Sequence, residues 1–121
     1  MIAIIDDDVA AREATDDLLK SVGYSTITFA SAEEFLSSQG RYQTSCVISD
    51  VKMPGMNGLA LQQQLLTEHH NIPIILVTAF AEDGMRERAL AAGALAFLTK
   101  PFSQESLIKY LGSALARSQG S

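Results

Sequence analysis

The chain contains a single cysteine, Cys46, so no disulfide can form within it. Cys46 lies inside an apolar run, which predicts a buried, unreactive thiol and fits a cytoplasmic location. Basic residues are scarce: nine Lys and Arg face fourteen Asp and Glu, for a net charge of −5. That deficit argues against a basic patch on this segment that would grip nucleic acid or an anionic membrane. Long apolar runs are missing as well, and none approaches the roughly 18 to 20 residues that span a bilayer. The first strand-like run starts at Ile2, which leads us to expect neither signal peptide nor membrane anchor. Neither G-x-G-x-x-G nor G-x-x-x-x-G-K-[ST] occurs, and this weighs against a nucleotide-dependent enzyme.

The residues that are present describe one domain. With 121 residues, 47% of them hydrophobic and 19% charged, the chain can bury a core but has no room for two. We expect the domain to cover 1–116, with 117–121 the start of a linker or an artificial tail. Apolar runs alternate with helical patterns. Ile2 to Ile5 form a first strand, followed by a helix over 9–22 with Ala11, Ala14, Leu18 and Val22 as its apolar stripe. Gly23 stops that helix. Residues 24–29 alternate as an edge strand, and Ser31 with Glu34 forms a capping box before Phe35 and Leu36. A central strand begins at Cys46 and ends in Asp50. Asn57-Gly58 opens a helix carrying Leu59, Leu61, Leu65 and Leu66. A strand over 72–77 ends in Thr78, a helix spans about 83–92, and a strand over 95–98 ends at Thr99-Lys100. The last helix, 104–116, buries Leu107, Ile108, Leu111 and Leu115. Five strands alternating with five helices predict an α/β fold, a doubly wound parallel sheet with helices on both faces.

In such sheets ligands bind beyond the carboxyl ends of the strands. Those ends read Asp6-Asp7-Asp8, Asp50, Thr78 and Lys100. Each has an ordinary reading by itself. Three acids suit a helix N-terminus, and Asp50 before a Met-Pro-Gly turn suits a loop. Together they fall at the same end of successive strands, where accident would scatter them. Carboxylates gathered on one rim repel, so the site calls for a cation; magnesium, a hard ion content with few carboxylates and several waters, fits best. Lys100 adds a second positive charge.

The motifs Ile4-Ile5-Asp6-Asp7-Asp8, Ser49 to Gly58, Val77-Thr78-Ala79 and Lys100-Pro101-Phe102 resemble the receiver domain of two-component response regulators, and the likeness runs from about Ile2 to Leu115. The resemblance implies a flavodoxin-like sheet of order 2-1-3-4-5. It implies that Asp50 accepts a phosphoryl group from a sensor histidine kinase, with magnesium (manganese as a substitute) as cofactor. Asp7 would be a direct metal ligand, Asp6 a ligand through water, and the Lys52 carbonyl a further ligand. Thr78 and Lys100 would contact the phosphoryl oxygens, Pro101 would be a cis proline shaping the Lys100 loop, and Asp8 a bystander or helix cap. Phe97 would be a switch aromatic that turns inward as Thr78 moves toward phosphate, altering the surface of the fourth helix, fifth strand and fifth helix. Lys52 and Phe80, each two residues past a site residue, border the phosphoryl group and are expected to tune its lifetime.

The stretches around Asp50 and Lys100 look most like FixJ-type regulators. These carry a C-terminal DNA-binding domain, so we expect phosphorylation to promote a homodimer and to control an output domain outside this chain. An exposed Tyr110 with Lys109, Arg86 and Arg88 is expected to contribute to the pairing face. Two rivals stand beside this reading: a stand-alone relay receiver, and a phosphatase of the haloacid dehalogenase type. The latter needs a second Asp two residues after its nucleophile, where this chain has Lys52. His69 and His70 sit at a helix end and offer no convincing phosphodonor.

Overall fold

The computed structural model describes residues 1–68 and 71–120, the side chains of 117–120 excepted. Five short strands run parallel: β1 (Ile2–Ile5), β2 (Thr26–Phe29), β3 (Cys46–Asp50), β4 (Ile74–Thr78) and β5 (Ala96–Thr99). Their order is β2-β1-β3-β4-β5. Between and after them lie α1 (Val9–Ser21), α2 (Ala32–Ser37), α3 (Gly58–Thr67), α4 (Met85–Ala91) and α5 (Gln104–Gly120). A short 3₁₀ helix, Gln39–Gln43, precedes β3 and was not foreseen in the sequence.

β1, β3 and β4 are buried along their whole length because both faces of the sheet are covered there, whereas β2, at the edge, alternates Thr26 and Thr28 with Ile27 and Phe29. Ala3, Ile5, Val47, Ile74, Leu76 and Phe97 pack on one face against Phe35 of α2, Leu61 and Leu65 of α3, and Met85 and Ala89 of α4. Ile2, Ile4, Ile48, Ile75 and Val77 pack on the other against Leu19 of α1 and Leu107, Leu111 and Ala114 of α5. Successive residues of one strand therefore feed two separate cores. Cys46 is fully buried, and burial pushes its thiol pKa up to about 12. No helix among the described residues is long and apolar enough to cross a membrane.

Register positions the strand ends. Ile5 pairs with Ser49, Asp50 with Val77, and Thr78 with Thr99. The residues just past these pairs, Asp6 and Lys100, therefore flank the end of β3 from opposite sides.

Helix phases differ from expectation in three places, the last being α5, where Leu107, Leu111 and Ala114 are buried while Ile108 and Leu115 are only half-buried. On α1, Ala14 and Val22 are exposed, whereas Leu19 is buried and Ala11, Thr15 and Leu18 are half-buried. The stripe is rotated toward Leu19, and Asp16 lies half-buried beside β2, accepting a hydrogen bond from the Thr26 hydroxyl. The helix also ends at Ser21, so Val22 is its cap and not part of its stripe. On α3, Leu66 is exposed and Gln62 is buried in its stead. The Gln62 amide donates to the Ala89 carbonyl of α4 at 3.1 Å, which satisfies the buried polar group. The caps follow the sequence: Ser31 Oγ accepts the Glu34 N–H at 3.0 Å, and Asn57 Oδ1 accepts the Ala60 N–H at 2.8 Å. Helix α5 continues to Gly120, past the expected boundary at 116.

Candidate functional site

Asp6 lies immediately beyond β1 and is buried. Its Oδ1 accepts the Asp8 N–H at 2.9 Å, and its backbone carbonyl accepts a hydrogen bond from Arg12 Nη1 at 2.7 Å. Asp8 itself caps α1, its Oδ1 taking the Ala10 N–H at 3.0 Å, so its carboxylate is spent on the helix. Asp7, between them, is exposed. Asp50 closes β3, and its Oδ1 accepts the Lys52 N–H at 3.1 Å. One carboxylate oxygen from each of Asp6, Asp7 and Asp50 lies within 4.8 Å of the other two. Three hard anionic oxygens open to water on one side suit a hard divalent ion, and this cluster could hold one.

Lys100 reaches the cluster from the far side of β4. Its Nζ donates to Asp6 Oδ2 and to Asp50 Oδ2, each at 3.0 Å. Its backbone is fixed by an N–H to the Thr78 carbonyl at 2.8 Å, and the Lys100–Pro101 peptide is cis. Burial pulls the Lys100 ammonium down, but hydrogen bonds and charge from Asp50 and Asp6 outweigh it, and its pKa stands above the ordinary 10.5. The lysine is therefore charged at neutral pH.

Thr78 is buried, and its Oγ1 accepts the Phe80 N–H at 3.2 Å. Phe80, in contrast, is 74% exposed on the rim. The side chain of Lys52 turns away from the cluster and forms an ion pair with Glu82. Phe97 is 3% exposed, packed inward on the α3–α4 face. Arg86 Nη1 donates to the Phe97 carbonyl at 3.1 Å and ties α4 to the edge strand. Tyr110 is half-buried against the core beneath α5, not exposed as expected: position 110 lies one turn from Leu107 and beside Leu111 on the packed side. Lys109, Arg86 and Arg88 are exposed. His69 and His70 lie outside the described residues.

Three residues of this region escaped the sequence reading. Glu82 is the partner of Lys52. Glu33, on α2, accepts the Met56 N–H at 3.0 Å and so steadies the turn after Asp50; that amide holds its carboxyl below the usual range. Gly58 packs against the Asp50 backbone, where a Cβ would come within 2.6 Å of the Asp50 carbonyl oxygen. Only the Asn57-Gly58 helix start was visible as a signal, and it does not reveal that approach.

The carboxylate cluster and the Lys100 ammonium thus meet at one rim of a parallel sheet of order β2-β1-β3-β4-β5. The chain belongs to the response regulator receiver domain family, whose model matches residues 2–112. The response regulator protein TodT of Pseudomonas putida is 42% identical over 115 residues, covering 95% of this chain and 51% of that protein. The transcriptional regulatory protein FixJ of Bradyrhizobium diazoefficiens is 33% identical over 118 residues, 98% of this chain and 58% of that one. The solved structure of the response regulator StyR superposes with a TM-score of 0.90 at 37% identity, covering 98% of this chain and 60% of that one. The chain thus spans about half the length of relatives such as TodT, of which it covers 51%.

Proposed function

We propose that the domain is a phosphorylation-driven switch in which Asp50 accepts a phosphoryl group from the phosphohistidine of a partner sensor kinase. The observation that carries this is the Lys100 ammonium, 3.0 Å from a carboxylate oxygen of both Asp6 and Asp50. It places a fixed positive charge beside the one strand-end acid that closes the central strand. Transfer of a phosphoryl group runs through a loose transition state, so positioning and charge neutralisation matter more than nucleophile strength. Asp50 Oδ2 attacks phosphorus, the donor's P–N bond breaks, and Lys100 shifts with the new charge. The Thr78 hydroxyl is a second donor of the right type for the remaining oxygens. Asp6, Asp7, Asp50 and the Lys52 carbonyl would hold magnesium (or manganese), which supplies further neutralising charge when bound.

Asp50 stores the group and does not turn over an outside substrate. A phosphatase would need an acid two residues on, and Lys52 occupies that place, its ammonium paired with Glu82. The output is read through Thr78 and Phe97. With Phe97 already inward, a Thr78–phosphoryl contact would hold that arrangement and raise its population. The responding surface is α4, β5 and α5, pairing two phosphorylated copies. Relatives named as transcriptional regulators, such as FixJ, support a DNA-binding output joined beyond a receiver of 1–116, with 117–121 leading into it. Incubation with radiolabelled acetyl phosphate and magnesium tests the acceptor: wild type takes label and Asp50→Asn does not. Equal labelling of the two would refute the assignment. Sedimentation with and without beryllofluoride tests the pairing, and an unchanged monomer at high concentration would refute that.

A further inference from the structure

We infer that Glu82 is a positioning residue that shortens the life of the phosphoryl group on Asp50 by holding the Lys52 ammonium away from it; the role rests on Asp50 being the phosphoacceptor. Lys52 belongs to the site by its backbone, since its N–H donates to Asp50 Oδ1 at 3.1 Å. Its side chain nonetheless leaves the carboxylates, and the ammonium that serves Asp50 is that of Lys100. Lys52 pairs with Glu82 instead. Glu82 lies in the loop after β4, the loop that carries Phe80, and its carbonyl accepts the Met85 N–H at 3.1 Å in the turn that opens α4. The pair therefore bridges the two loops that flank Asp50.

The bridge is built to exchange. The two side chains are 46% and 60% exposed, and water screens such a pair strongly. A phosphoryl group on Asp50 brings up to about two negative charges and three acceptor oxygens beside the Lys52 backbone. Lys52 then has two anions to choose between. On the phosphoryl oxygens its ammonium and stem obstruct the approach of water. On Glu82 they leave it open. In the loss reaction a water oxygen attacks phosphorus and the P–O bond to Asp50 breaks, its electron pair returning to the carboxylate. Inorganic phosphate departs, and the water proton passes to solvent.

The test follows the decay of label from the full chain, loaded with radiolabelled acetyl phosphate and magnesium and then freed of donor. Glu82→Gln should lengthen the half-life by about two- to five-fold, the range an exposed pair supports. In a Lys52→Ala background the same change should have no effect, and Asp83→Asn, an exposed neighbour of equal charge, should match wild type. An unaltered half-life in Glu82→Gln would overturn the inference. So would equal lengthening in the Lys52→Ala background or in Asp83→Asn, because either would mark a general charge effect. Wild type that takes no label would bring down the Asp50 reading itself, and this role with it.

Discussion

Replacing Lys100 with methionine removes the charge and keeps most of the stem. The ammonium sits 3.0 Å from each of two carboxylate oxygens. At that separation and an effective dielectric near 20, each attraction is worth about 5 kcal/mol before solvation is counted. Desolvation of the lysine and residual exposure, 24% for its side chain, cut this down. Removing one partner of a buried pair costs about 3–5 kcal/mol and of an exposed pair ~1 or less, so an expected loss of about 2–3 kcal/mol lies between. With an unfolding entropy of about 2 cal/mol/K per residue over 121 residues, that lowers Tm by about 8–12 °C. Thermal unfolding followed by circular dichroism at neutral pH in chelator measures it. Added magnesium should then restore more stability to the variant than to wild type, because Asp6 and Asp50 are left uncompensated. A variant as stable as wild type in chelator, or an equal gain from magnesium in both proteins, would refute the charge arrangement described above.

Gly58→Ala should cost about 1–3 kcal/mol, since the new Cβ meets backbone that cannot swing aside; urea unfolding reports it, and labelling of Asp50 should fall with it. Burial pushes the Asp16 carboxyl up, but hydrogen bonds from Thr26 and Lys20 outweigh it and hold the pKa below the ordinary 3.8. Its contribution to stability is thus present above 3.8 and disappears as pH falls through the lowered value. The gap in urea midpoint between wild type and Asp16→Asn should therefore be open at neutral pH and close in acid; a gap that stays constant would contradict this. Cys46, fully buried, should resist thiol reagents until the domain unfolds, with labelling that tracks the denaturant transition. Fast labelling of the native protein would show the core to be open there.

The strand ends were legible because of how the sheet is buried. Strands covered on both faces read as unbroken apolar runs, so the polar residues that end them, Asp50, Thr78 and Lys100, stand out without any alignment. Helix phase was less legible. On α1 a half-buried Asp16, partnered by Thr26, disguised the packed face, and on α3 a buried Gln62 took the place assigned to Leu66. The supporting residues of the site were silent for a different reason. Glu33 meets Met56 across 23 positions and Lys52 meets Glu82 across 30. No local pattern carries such distances. Gly58 was visible as a helix start, but its contact with the Asp50 carbonyl depends on how α3 docks.

The two hydrogen bonds of Lys100 span 94 and 50 positions of the chain. During synthesis Asp6 and Asp50 emerge long before the lysine that balances them, and domains generally fold as units once their chain is available. A nascent or broken copy therefore offers aspartates that lack their ammonium. Under the function proposed above, acceptance of a phosphoryl group would then depend on completed folding, because the contact that balances Asp6 and Asp50 forms only when the last strand is in place.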